Sequence, residues 1–567
     1  LIPRGTRIVE GLRLRESHLF LAITVVIGVV AGLAAVLFSL AIDATTLVFF
    51  GGDPSPLRLI AVPTLVSLVT GLLLATTFSG VRGSGIPQTK AAYHLEQGRI
   101  PFRIALGKFL TGALCVGSGH SMGREGPSVQ IGASIASSFG RAVGLPPARV
   151  KDLVPIGAAA ALSAAFNTPV AAVLFALEEI IGDLNAALIG STVVASVTAV
   201  IVERSILGNE ALFRVPPYHL VHPAELLAYA GLGIVGGLVS LAFCKGLLRA
   251  RQLFSRMPAM TRVFQPAMGG LAVGIILVFV PQVMGVGYES VDAALQGGML
   301  LRTLILLCGA KLAATILSYA SGNAGGIFAP TLFLGAMTGG AVGLAIQAIA
   351  PFPTGGAGAY ALVGMGTLFA GIIRVPLTSV FMIFELTQDY QILVPLMIAN
   401  LISFIISRTF QPTPIYHALL EQDGVILPGP ESRLASGTWR AGEIMSSRPT
   451  LVPEESSIED ATRIAIEQGE SALLVGSGDR LIGIATSDSL EKALASGGPE
   501  APVTSALVPE WAYVHADHSL ELVIERLRQS CGLLPVLDRR DLRRVEGVIS
   551  EVSIVQIVRR PVPGSRA

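Results

Sequence analysis

Residues 19–42, LFLAITVVIGVVAGLAAVLFSLAI, run for 24 positions without a charged side chain. In water such a run has nowhere to go. As a helix it crosses a hydrocarbon core of about 30 Å, and lipid leaves only helices and closed barrels as ways to pair every backbone donor and acceptor. Runs 57–78, 226–248 and 269–287 are long enough to do the same. With 52% hydrophobic and 14% charged residues, the chain lies outside the range of an ordinary soluble domain. The expectation is a polytopic all-α membrane domain. The first run is too long for the apolar core of a signal peptide and has no small-residue cleavage pattern. Arg4, Arg7, Arg13 and Arg15 precede it, which puts a 1–17 segment on the cytoplasmic side. The chain opens on leucine, so some N-terminal sequence is expected to be missing.

Composition changes near residue 425, where apolar runs shrink to strand length and charges become frequent. This divides the chain into a membrane domain over 18–425, a Pro/Gly/Ser-rich linker over 426–439, soluble α+β segments over 440–500 and 501–560, and a 561–567 tail. The soluble part is doubled. ALLVGSGDRLIGIATSDSL (472–490) and LLPVLDRRDLRRVEGVISEVSI (533–554) each run from an apolar strand through a polar turn to Gly-apolar-apolar-Thr/Ser, and each follows a helical stretch. The pattern resembles a tandem pair of cystathionine-β-synthase (CBS) modules, which often bind adenine nucleotides between their halves. Here the ribose-binding aspartate of that family is replaced by Ser489 and Ser553, with Asp488 one position early, so nucleotide binding is expected to be weak or absent.

The membrane part repeats as well, over about 18–205 and 225–410. When Lys108 is set against Lys311, GREGPSVQIGA (123–133) falls on GIFAPTLFLGA (326–336). Further on, Pro169 and Glu178 match Pro376 and Glu385. Membrane repeats commonly meet near the midplane, where interrupted helices aim their ends at a shared ion site. Three segments interrupt the apolar pattern with glycine and proline: GSGIP (83–87), GREGP (123–127) and GGIFAP (325–330). Glycine lets the backbone approach a ligand and proline suits a first helical turn, so each segment reads as a helix start. A helix start inside a membrane offers free N–H groups and partial positive charge, an anion site without a lysine. It can hold an anion weakly enough to release it. Close helix packing on small residues is the competing account of any one of these motifs.

GSGIP, the stretch GKFLTGALCVGSGHSMGREGPSVQIGASI (107–135), GGIFAP and PIY (414–416) together resemble the CLC chloride channel and transporter family, over nearly all of 18–425. The resemblance implies an inverted repeat of tilted, interrupted helices. It also implies a homodimer with an anion pathway in each subunit, and cytoplasmic CBS modules. Ser84 and Tyr416 would supply hydroxyls to a central chloride site, and the N–H groups of Ile327 and Phe328 would complete it. Gly83, Gly85, Gly123, Gly126 and Gly326 would shape the helix starts. Glu125 stands at the gating position, where a carboxylate competes with chloride until a proton neutralises it. Arg124 is expected to pair with a carboxylate or reach water.

Adjacent carboxylates in FALEEI need a reason, because a mid-membrane charge costs on the order of 2.5–3.5 kcal/mol. Glu178 has a repeat partner in Glu385, which favours a structural role. Glu179 faces Leu386 and has none, and its position is the internal proton-transfer site of the family's exchangers. A solvated helix end is the alternative for both, and for Asp183. Lys108 and Lys311 read as structural, and His120 as a hydrogen-bonded polar residue.

The expected function is therefore secondary chloride/proton antiport across the cell's inner or plasma membrane, with chloride, protons and lipid as partners. A passive chloride channel is the alternative. No enzymatic activity, metal, cofactor or nucleic acid is called for. A net charge of +1 carries no basic run, and Cys115, Cys244, Cys308 and Cys531 have neither zinc nor disulfide spacing. GHSMG (119–123) matches a hydrolase nucleophile elbow, but that motif needs a strand before it, and 104–116 reads as a membrane helix.

Overall fold

The computed structural model describes residues 4–52, 54–183, 186–208, 213, 221–425, 427, 439–446, 451–468, 471–509, 511–518, 520–530, 532–550 and 553. By its backbone contacts the chain divides into two units, Leu1–Leu427 and Pro428–Ala567. The expected linker and tail fall almost wholly outside the described residues.

In the first unit the helices come as two sets of eight. The first is α1 (Arg4–Phe50), α2 (Pro56–Thr76), α3 (Ile86–Leu95), α4 (Phe102–Gly117), α5 (Glu125–Ala142), α6 (Pro147–Phe166), α7 (Pro169–Phe175) and α8 (Ala186–Leu207). The second is α9 (Glu225–Ser255), α10 (Gln265–Phe279), α11 (Tyr288–Leu295), α12 (Leu301–Ala320), α13 (Phe328–Ile349), α14 (Ala357–Ile372), α15 (Pro376–Thr387) and α16 (Leu393–Phe410). A further short helix, α17 (Ile415–Gln422), follows them. Among the described residues, 7 helices are long and apolar enough to cross a membrane. The 269–287 run is not one of them. Its helix stops at Phe279, before Pro281, and Gly285 and Gly287 then take positive φ (54° and 82°). Proline withdraws an amide donor and the left-handed glycines turn the chain, so hydropathy alone overstated this span.

The repeat predicted from Lys108 and Lys311 runs through the packing. Helix α5 lies on α6 as α13 lies on α14, and α1 on α8 as α9 on α16. A Cβ on Gly132 would come within 2.2 Å of the Gly157 carbonyl oxygen, and one on Gly335 within 2.3 Å of the Gly364 oxygen. The same backbone-to-backbone approach is thus built twice, as small-residue packing in membranes allows.

The halves also cap each other. Glu178 accepts hydrogen bonds from the N–H groups of Leu377 (3.3 Å) and Thr378 (2.9 Å) and from the Thr378 hydroxyl (2.8 Å), at the start of α15. Glu385 accepts from Val170 N–H (2.9 Å) and Ala171 N–H (2.8 Å), at the start of α7. Each carboxylate meets free donors and the positive end of a helix dipole, which explains the equivalence of Glu178 and Glu385 in the sequence.

In the second unit β1 (Leu451–Val452) runs parallel to β2 (Ala472–Ser477), which pairs antiparallel with β3 (Arg480–Thr486). A separate antiparallel pair joins β4 (Leu533–Leu537) to β5 (Val545–Ser550). Helices Ile458–Gln468 and Leu520–Gln529 precede the two pairs. Leu474 and Leu481 of one pair pack with Leu533 and Leu537 of the other. After β3, Thr486 and Ser489 bond reciprocally, and Ser550 and Ser553 repeat that arrangement after β5. The rest of the helix expected after Ser550 lies outside the described residues.

Replacing Glu385 with alanine strips two backbone donors of their acceptor, which costs roughly 1–3 kcal/mol when the donors stay buried. The thermal midpoint of purified E385A in detergent is expected to fall below that of the wild type, with E385Q in between.

Candidate functional site

Two fully buried lysines fix the loops that start the site. Lys108 Nζ, on α4, donates to the carbonyl oxygens of Val81 and Gly83, each at 2.7 Å. Lys311 Nζ, on α12, donates to those of Val283 (3.1 Å), Gly285 (2.8 Å) and Val286 (3.1 Å). A buried ammonium is tolerable when its protons meet acceptors, and here the acceptors are backbone, so each lysine sets a loop's path. Past the first loop Gly85 has φ 95° and α3 begins at Ile86; past the second Gly287 has φ 82° and α11 begins at Tyr288.

The starts of α5 and α13 are joined directly. Gly123 N–H donates to the Gly326 oxygen and Gly326 N–H to the Gly123 oxygen, both at 2.8 Å. These are equivalent residues of the two repeats, and their antiparallel bridge is the pairing a local two-fold axis produces. Gly126 presses on Ser84, since a Cβ there would lie 2.8 Å from the Ser84 oxygen. The starts of α3, α5 and α13 therefore meet, each presenting first-turn N–H groups that have no acceptor within their own helix. Ile327 and Phe328 lead α13, and the Phe328 ring packs on Phe166, Phe175 and Phe369 at 5.0, 5.6 and 4.3 Å.

Ser84 is buried, with its N–H and hydroxyl facing the Tyr319 hydroxyl. Tyr416, the second residue of α17, is also buried, and its hydroxyl has no hydrogen-bond partner among the described residues. It lies within electrostatic reach of Tyr319, Glu179 and Glu125. The Glu125 carboxylate folds back over Gly123, where a Cβ would be only 2.2 Å from Oε2. Its Oε1 accepts a 2.7 Å hydrogen bond from the Tyr288 hydroxyl, and the N–H groups of Glu125 itself and of Ala329 face the carboxylate.

Glu179 is only 4% exposed and pairs with Lys90 Nζ at 2.7 Å. This excludes a solvated helix end for Glu179, whereas Asp183, after the helix, is exposed. Residues Ala176–Ile181 form a π-helical turn. The wider turn turns Glu178 to the other repeat and Glu179 to Lys90. Such turns recur at functional sites.

Two cavities approach the site. One, of about 740 Å³, is lined by Arg82, Arg251 and Arg262 and reaches Gly83 and Tyr319. Another, of about 290 Å³, is lined by Ser39, Asp43, Arg124, Asn167 and Glu203. The first is lined by the end of α2 and the second by the C-terminal half of α1.

Arg124 donates to Ser39 Oγ and to the Ala165 oxygen and lies over the Tyr288 ring, forming no ion pair among the described residues. His120 bridges Ser67 and Ser318, as a satisfied polar residue does. Ser121 bonds to Thr315 and follows a helix, not a strand, which removes the hydrolase reading. Cys115 and Cys244 are buried and Cys308 half-buried, while Cys531 lies outside the described residues.

Sequence reasoning missed Lys90, Tyr288 and Tyr319. Setting GVGYE (285–289) against GSGIP, one residue out of the Lys108–Lys311 register, would have exposed Tyr288.

The model of the voltage gated chloride channel family matches residues 65–408, and that of the CBS domain matches 441–496. The chain belongs to the voltage-gated chloride channel family. It is 32% identical to the H(+)/Cl(-) exchange transporter ClcA of Vibrio campbellii, across 72% of this chain and 89% of that protein. It is 34% identical to the chloride channel protein CLC-e of Arabidopsis thaliana, across 67% of this chain and 59% of that protein. The crystal structure of a slow cyanobacterial Cl⁻/H⁺ antiporter superposes with TM-score 0.65 at 26% identity, covering 71% of this chain and 97% of that one.

Breaking a buried ion pair from one side costs about 3–5 kcal/mol, because the remaining charge is left uncompensated. K90M is therefore expected to lower the thermal midpoint in detergent at pH 8. Acidification, or the added E179Q change, restores it by removing the stranded charge. A K90M protein as stable as the wild type at pH 8 would contradict this account.

Proposed function

We propose that the chain exchanges chloride-like anions for protons across a membrane, with Glu125 as the gate and outer proton site and Glu179 as the inner one. The observation that carries this reading is that two buried carboxylates lie within electrostatic reach of one buried hydroxyl, that of Tyr416, which has no hydrogen-bond partner among the described residues. In this reading Ser84 and the leading N–H groups of Ile327 and Phe328 join that hydroxyl in forming the anion cradle. It attracts an anion by dipoles and carries no fixed cation that would trap one. A carboxylate is itself an anion, so Glu125 competes for the same donors, and protonation releases it. Glu179, paired with Lys90, sits where a second proton acceptor is needed to complete a stepwise transfer. The exchanger named among the relatives supports the reading.

A passive chloride channel is the second reading, and Lys90 favours it: the ammonium at 2.7 Å already satisfies Glu179, as in a purely structural ion pair. The two readings part in liposomes given a chloride gradient and no proton gradient. Antiport predicts uphill proton movement by the wild type, abolished in E179Q while chloride still flows. In E125Q chloride flux should persist without pH dependence and without coupled protons. Chloride flux in the wild type without proton countermovement would establish the channel.

The assembly proposed is a homodimer in the plasma or inner membrane, with the N-terminus and the CBS modules in the cytoplasm. The CBS modules are proposed to bind adenine nucleotides weakly or not at all. Asp488, the nearest carboxylate to the ribose position, is exposed and paired with Lys492 at 2.7 Å, and Ser489 is occupied with Thr486. Calorimetry of the purified full-length chain with ATP or AMP is expected to give no micromolar binding.

A further inference from the structure

We propose that Tyr288 is a positioning residue that latches the Glu125 carboxylate inside the anion path, so that proton-driven opening begins with the loss of its hydrogen bond. The inference rests on reading Glu125 as the gate.

The Tyr288 hydroxyl donates to Glu125 Oε1 at 2.7 Å. Three contacts keep it there. Tyr288 is the first residue of α11, directly after the left-handed Gly287, in the loop that Lys311 grips through the Val283, Gly285 and Val286 oxygens. Its ring stands edge-on to Phe213, with centroids 5.2 Å apart and planes at 86°. On another side the Arg124 guanidinium lies 5.7 Å from the ring centroid.

The repeat gives this arrangement its meaning. Lys108 grips the loop before α3 as Lys311 grips the loop before α11, and Gly85 and Gly287 turn the two loops alike. Loop 83–85 delivers Ser84 to the central cradle. The second copy delivers a hydroxyl too, two positions later, on Tyr288 in the place of Ile86, and aims it at the carboxylate.

Several charged or titratable groups face Glu125. Arg124 adjoins it, Lys311 lies on α12, Tyr416 on α17 and Tyr288 on α11. Among the described residues, Tyr288 is the one whose side chain donates a hydrogen bond to the carboxylate. A phenol donates most strongly to the ionised carboxylate, so the latch stabilises the charged, path-blocking form. Once the carboxylate is protonated, that preference is gone.

The test is chloride efflux from liposomes as a function of pH. Tyr288→Phe keeps the ring and its packing and removes one hydrogen bond. A bond worth about 0.5–1.5 kcal/mol moves the midpoint of acid activation to higher pH by about half to one unit. Replacing Tyr288 with 3-fluorotyrosine, a stronger donor of nearly the same size, moves it to lower pH. In an E125Q background, Y288F leaves the flat profile flat. An unmoved midpoint in both Tyr288 variants overturns the latch, as does a Y288F effect of equal size in the E125Q background, which marks a structural role. If E125Q alone retains the wild-type pH dependence, the gate reading fails, and that result is distinct from a failure of the latch.

Discussion

Two hydrogen bonds of 2.8 Å between Gly123 and Gly326 hold the site together. They join the same residue of each repeat, and so they bring the N-terminal ends of α5 and α13 face to face. Helix dipoles pointed at one another repel unless something negative stands between them. In this structure that something is the Glu125 carboxylate, which faces the N–H groups of Glu125 itself and of Ala329. Neither residue can carry a side chain without loss. A Cβ on Gly123 would meet the Glu125 carboxylate, and one on Gly326 would lie 3.1 Å from the Gly126 nitrogen.

Around this junction, buried charge is used to fix backbone. Lys108 and Lys311 grip carbonyl oxygens; Glu178 and Glu385 grip amide groups across the repeat interface. In each case the ion is satisfied by groups that a membrane would otherwise leave unpaired, which lets charge persist where it is costly. Glu125 and Glu179 differ in kind. Each also meets a side chain, Tyr288 or Lys90, whose bond can be broken without undoing a helix.

Much of this was legible in the sequence. Long apolar runs and the Lys108–Lys311 register pointed to the repeat, and glycine-proline motifs to the helix starts, because both are local patterns. The equivalence of Glu178 and Glu385 suggested a shared structural task, though not that each caps the other's repeat. What stayed hidden was non-local. Nothing in TKAAY marks Lys90 as the partner of a carboxylate 89 positions away, and Tyr288 and Tyr319 look like ordinary aromatic residues until the loops are folded. The 269–287 run misled because hydropathy does not register the break that Pro281 and two left-handed glycines impose.

The repetition of the fold has a consequence for vectorial work. A scaffold built from two copies related by a two-fold axis looks the same from either side of the membrane, and by itself it has no preferred direction. Polarity must come from the positions where the copies disagree. Among them are Glu125 against Phe328, Ile86 against Tyr288, and Glu179 against Leu386, with the π-helical turn of Ala176–Ile181 standing against the regular helix α15. Side chains that differ between the copies thus give a two-fold frame two unlike ends.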